Sequence, residues 1–165
     1  MTLTPFLEAP VIIQLHAAAA LLAIVLGPFV ILRHRRDRLH KAGGYVWVVA
    51  MLVVAISSFG ITSFGVIGPF SPIHLLSILA LWSIYSGMRH IFAGRVEAHR
   101  QTFQGLYWRG LLIAGLVNFL PGRATNRSIF SETPEAGYLV LGVGLALIFG
   151  WPLRHRLRPA GRANA

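Results

Sequence analysis

Seven histidines are the residues of this sequence best suited to chemistry. Neutral imidazole is a good ligand for iron, copper and zinc. The rest of the inventory narrows what those histidines could do. There is no cysteine, so a thiolate metal site and a disulfide framework are excluded. Only five acidic residues occur, and none lies in a long apolar stretch. That argues against an embedded carboxylate for proton coupling and against a hard-cation site, which needs several oxygen ligands. No Ser-His-Asp set, Gly-rich phosphate loop or H-E-x-x-H motif is present.

Two groups of histidines emerge once the elements that carry them are placed. Charged residues come in clusters. Between them, 9–32, 42–88 and 136–153 hold no charge at all. About 20 apolar residues cross a ~30 Å hydrocarbon core. The first stretch is one span, and the second is two, broken at Gly68-Pro69-Phe70-Ser71-Pro72. The segment 101–122 is a further span if Arg109 snorkels to the interface. The expected fold is therefore all-α: a multi-pass transmembrane helix bundle of about five spans, near 10–32, 45–67, 73–93, 105–121 and 137–153. Residues 1–153 form one integral membrane domain and 154–165 a basic tail.

Composition agrees. Apolar residues make up 55% and charged residues 12%, against about 25% charged in an ordinary soluble domain. The formal net charge is nevertheless +10. Under the positive-inside rule five spans with the N-terminus outside explain it. Arg33, Arg35, Arg36, Arg38, Lys41, Arg89, Arg95, Arg100, Arg109, Arg154, Arg156, Arg158 and Arg162 then share the cytoplasmic face. Only Arg123 and Arg127 lie opposite. The charge is an orientation signal, so a nucleic-acid partner is not expected; the lipid bilayer is. The first apolar run lacks a basic leader and a small-residue cleavage site, and Arg33-His34-Arg35-Arg36 follows it. It reads as a retained helix rather than a signal peptide.

With this topology His16, Thr62, Ser63, His74 and Asn118 occupy the outer third of the bundle. His16 heads a helical face continued by Ala19, Ala20, Ala23 and Gly27, a smooth groove suited to close helix packing or to a flat ring. In the third span His74, Ser77, Leu81, Tyr85 and Met88 share a face, with His90 at the other end. His34, His40, His90 and His99 lie at the cytoplasmic edge among arginines and read mostly as solvated. Two histidines from different helices are the usual protein ligands of a six-coordinate haem b. His16 with His74 is one candidate pair, and His40 with His90 or His99 a second.

These landmarks resemble a known family. The carriers are His16 with its small residues and Gly27-Pro28, His40-Lys41-Ala42-Gly43-Gly44-Tyr45-Val46, and Phe70-Ser71-Pro72-Ile73-His74-Leu75-Leu76-Ser77. His99-Arg100 and Leu120-Pro121-Gly122-Arg123 complete them. Over roughly residues 10–125 the chain is similar to the prokaryotic membrane proteins grouped as domain of unknown function 2306. The resemblance implies a multi-pass protein of the bacterial inner membrane, with the family's histidines at His16, His40, His74 and His99. It implies no reaction, substrate or cofactor. The family's usual His-Arg pair is His40-Lys41 here, and Lys is a poor substitute where bidentate contacts are needed. Three functions stay open: a His-lined site between helices that binds haem or quinone for electron transfer; a non-catalytic membrane subunit or assembly factor with a membrane-protein partner; and, last, a small-solute carrier or channel.

Overall fold

The computed structural model describes residues 4–33, 35–61 and 72–156, and every regular element among them is helical. The chain divides into two compact units, residues 7–112 and residues 1–6 with 113–165. After a short α1 (Thr4–Leu7), the first of these units holds α2 (Val11–Ile31), α3 (Arg38–Ser57), α4 (Pro72–Phe92) and α5 (Val96–Gly105).

α2 is rich in Ala and Leu, good helix formers. Gln14 Nε2 donates to the Ala9 and Leu7 carbonyls and anchors the entering chain. Pro28 lies inside the helix. It has no N–H, so the Ile24 carbonyl four residues back loses its helical donor. The Tyr107 hydroxyl replaces that donor, reaching Ile24 O at 3.1 Å. Trp47 Nε1 donates to the neighbouring Ala23 carbonyl at 2.9 Å. The Tyr107 ring lies against Gly27, where a side chain would collide with it. The small-residue face of α2 is thus a packing face at Ala23 and Gly27, filled by two aromatic side chains of the chain itself.

α3 begins at Arg38, seven residues ahead of the expected start. The cause is Asp37, whose carboxylate caps the helix by accepting from the His40 N–H at 2.9 Å. Arg33 pairs with the same carboxylate and, with the His40 amide, holds it well below the usual carboxylate range. His40, Lys41, Gly43 and Gly44 therefore belong to the helix. After Ser57 a 3₁₀ turn, Ser58–Gly60, ends the element.

α4 starts at Pro72 and carries Arg89 and His90 in its last turn, where they complement the helix dipole. Gly94, at φ 73°, makes the turn into α5. His74, Ser77, Ile84 and Gly87 form its buried line. Tyr85, expected on that line, is 56% exposed and lies beside Trp82. Phe103 of α5 seats on Gly87 and draws the 84/87 side inward instead. The core joins Ala23, Trp47, Ala50, Met51, Ile84, Phe103, Leu106, Tyr107 and Leu111.

A π-helical turn, Leu106–Leu111, follows α5 directly, and α6 (Leu112–Val117) follows it. The expected span 105–121 is thus not one regular helix. It stops at Val117, because Pro121 and a left-handed Gly122 (φ 86°) turn the chain. The Arg109 guanidinium folds back over Gly105, one turn toward α5.

In the other unit α7 (Ala124–Ile129) precedes α8 (Ala136–Arg156). Asn126 is its pivot. It is 1% exposed, and its Nδ2 donates to the Phe119 carbonyl at 2.7 Å and the Pro134 carbonyl at 2.9 Å. Gly137 at the start of α8 lies directly on the Phe119 carbonyl.

Three described helices are long and apolar enough to cross a membrane: Val11–Ile31, Arg38–Gly60 and His74–Phe92, with mean hydropathy 2.1, 1.9 and 1.2. Ala136–Gly150 is a shorter apolar helix. Leu21, Val25 and Phe29 on α2, and Leu139 and Leu147 on α8, are more than half exposed. Apolar surface displayed on this scale suits lipid and not water.

Candidate functional site

Five histidines, His16, His40, His74, His90 and His99, meet the fold at the two ends of α3, about 26 Å of helix apart. At its C-terminal end, Ser57 spends its one hydroxyl proton on the Val53 carbonyl, at 2.6 Å. Its oxygen is left to accept, so the His16 Nδ1–H donates to it at 3.0 Å. His16 Nε2 then carries the lone pair. Ser58 donates to the Ala55 carbonyl at 2.7 Å, and the Ser77 hydroxyl donates to Ser58 Oγ at 2.5 Å. His74 is 5% exposed and stacks on Phe59, ring centres 5.6 Å apart. Residues 57–59 are thus met by His16 from α2 and by His74 and Ser77 from α4.

The N-terminal end of α3 borders a cavity of about 410 Å³ between α2, α3, α4 and α5. That size falls within the ~300–1,000 Å³ of small-molecule and cofactor sites. Trp47, Val48, Met88 and Phe103 give it apolar walls, and His40 and His99 both line it. His99 Nδ1 lies 2.9 Å from the Gly87 carbonyl. A carbonyl only accepts, so Nδ1 holds the proton and Nε2 is left as the ligating atom. The ring is fixed from a second side by the edge of Phe103 at 4.8 Å, and Phe103 in turn meets Trp47 edge-on at 5.5 Å.

His40, His90 and His99 are therefore not simply solvated, as the sequence suggested. His40 Nδ1 and His90 Nδ1 are buried with no hydrogen-bond partner among the described residues. α5 packs back along α4, and His40 and His99 face the cavity that this leaves beside the start of α3. Burial pushes the His99 imidazole below the ordinary histidine range; the Gly87 carbonyl opposes this, and the positive fields of His40, Arg36 and His90 add to it. The folded protein thus excludes a proton that the unfolded chain binds below about pH 6.5. Stability contributed by neutral His99 is complete above that pH and is lost as pH falls through the depressed value. The thermal midpoint in detergent should drop between pH 7 and pH 5, and drop less in His99→Gln. Equal drops would contradict this assignment.

Thr62, Ser63 and His34 lie outside the described residues. Asn118 belongs to the second unit, in the turn after α6, and its Nδ2 donates to the Ala114 carbonyl at 3.2 Å. Four residues that shape the sites were not singled out from sequence: Ser57, Gly87, Trp47 and Phe103. Ser57 had a readable signal, a Ser-Ser pair in an apolar run; the others had none.

No group of three or more His, Asp or Glu able to hold a metal ion occurs among the described residues. A bare zinc ion takes three or four protein ligands. Two imidazoles suit instead a metal already held in a macrocycle, which needs only axial ligands. A family model described as a predicted membrane protein, domain of unknown function 2306, matches residues 13–120. The chain belongs to this family. No curated protein and no solved structure matches the chain. The family's segment runs from α2 to the turn after α6, so both histidine clusters are inside it and α7 and α8 are not.

Proposed function

We propose that this member of the family spans a bacterial inner membrane five times, with its N-terminus outside, and binds a redox cofactor between its helices for electron transfer. The observation that carries the reading is His99. Its Nδ1 is committed to Gly87, its ring is locked by Phe103, and its Nε2 is left beside a cavity that His40 also lines. Ligating histidines have this arrangement, with the far nitrogen fixed by a carbonyl. His16, with Nδ1 committed to Ser57, repeats it at the other end of α3, where His74 is its companion. Haem b fits the donor set best. When bound it supplies one-electron chemistry, while the chain orients the ligands and excludes water through Trp47, Met88 and Phe103.

The experiment is a reduced-minus-oxidised spectrum of protein purified in mild detergent from a haem-replete host. Soret and alpha bands are expected, with His99→Ala or His40→Ala removing one component and His16→Ala or His74→Ala another. A colourless preparation would sink the reading. A second reading, a subunit or assembly factor of a larger complex, draws on the apolar groove between α2 and α3 at Ala18, Ala19, Val49 and Val53. It requires a stoichiometric partner that survives the same purification.

A further inference from the structure

We propose that the ligand of the α2–α5 cavity carries carboxylates, gripped by Arg35, Arg36 and Lys41, and so is a dicarboxylate porphyrin rather than a neutral quinone. This rests on the cofactor reading above and adds which residues would hold the acid groups of its ligand.

The cavity is amphipathic in an ordered way. Its inner wall is apolar, through Trp47, Met88 and Phe103, and its rim is cationic. Arg35 and Arg36 come from the α2–α3 connection and Lys41 from the first turn of α3; all three side chains are exposed, which places them at the mouth and not the floor. Arg33, also at the rim, is already paired with Asp37. Arg35, Arg36 and Lys41 have no counter-ion among the described residues. The one acidic residue at the cavity, Glu97, accepts a hydrogen bond from Gln101 at 3.0 Å. Orientation in a membrane asks for positive charge near the interface. It does not ask that five basic side chains, Arg33, Arg35, Arg36, Lys41 and Arg100, line one cavity that also holds two imidazoles.

A neutral quinone would leave this cationic mouth uncompensated beside His40 and His99. A flat macrocycle with two carboxylates satisfies both parts. Trp47, Met88 and Phe103 would take its body, a histidine Nε2 would hold its metal, and the basic rim would take its acid groups through charge-assisted hydrogen bonds. Arg suits a carboxylate bidentately, and Lys41 serves as a point charge.

The test titrates the full chain, made in a haem-limited host and held in mild detergent, with hemin and with hemin dimethyl ester. Hemin should bind about 2- to 30-fold more tightly than its ester, as two weak exposed charge contacts together imply. Its affinity should fall with added salt while that of the ester does not. Arg36→Gln with Lys41→Gln should erase the preference, and His99→Ala should change the spectrum of both complexes without erasing it. Equal affinity for hemin and ester would overturn this inference and leave the cofactor reading standing. Binding of neither would overturn both. Competition by added phosphatidylglycerol would assign the rim to a lipid phosphate and overturn the carboxylate assignment.

Discussion

Gly27→Ala should destabilise the α2–α5 unit by about 2–4 kcal/mol, combining overpacking with a lost hydrogen bond inside the bilayer. A Cβ at position 27 would stand 2.2 Å from Tyr107 Cε2 and 2.5 Å from Cδ2. The ring cannot slide away freely. Its hydroxyl holds the Ile24 carbonyl at 3.1 Å, which Pro28 has deprived of a helical donor. Moving the ring leaves that carbonyl unsatisfied in an apolar setting. Tyr107→Phe removes only the hydrogen bond and should cost about 1 kcal/mol. The two sites touch, so their effects should not add. Thermal midpoints of the two single variants and the double variant in one detergent decide the matter. A Gly27→Ala protein that melts with the parent would show that the close approach does not exist.

Gly137→Ala should have the larger effect, above about 3 kcal/mol, on the other unit. Its Cβ would lie 1.8 Å from the Phe119 carbonyl oxygen and 2.5 Å from Asn126 Nδ2. The first obstacle is backbone, so no rotamer change relieves it. The second is the amide that bridges the Phe119 and Pro134 carbonyls. A shift that spares one breaks the other. Limited proteolysis reads this directly: the 118–136 segment should be cut much faster in the variant, while cleavage within residues 11–105 keeps its parental rate. An unchanged pattern would refute the role given to Gly137.

Three long apolar helices were legible where charge punctuates apolar sequence. The expected 10–32 and 73–93 became Val11–Ile31 and Pro72–Phe92. α3 was read too short because His40, Lys41 and two glycines look like loop; the capping Asp37 that keeps them helical acts through a contact, not a composition. The expected fourth span, 105–121, is a π-turn and a short helix instead, and its leucine-rich run hides the stop made by Pro121 and Gly122. His40 and His99 stood out as polar residues near apolar spans. What joins them to one cavity did not. The bond from His99 to the Gly87 carbonyl depends on the α4–α5 turn at Gly94. Trp47 and Phe103 are apolar residues in an apolar sequence and carry no contrast for a reader to notice.

The π-helical turn at Leu106–Leu111 bears on how the chain tolerates changes in length. Such a turn is an α-helix holding one residue more than its rise requires. Loss of a single residue there can be absorbed by tightening the coil, with His99 and Phe103 before it left undisturbed. The same loss in α3 would swing Ser57 away from His16. Length is therefore negotiable at the π-helical turn and fixed in α3, where Ser57 must reach His16.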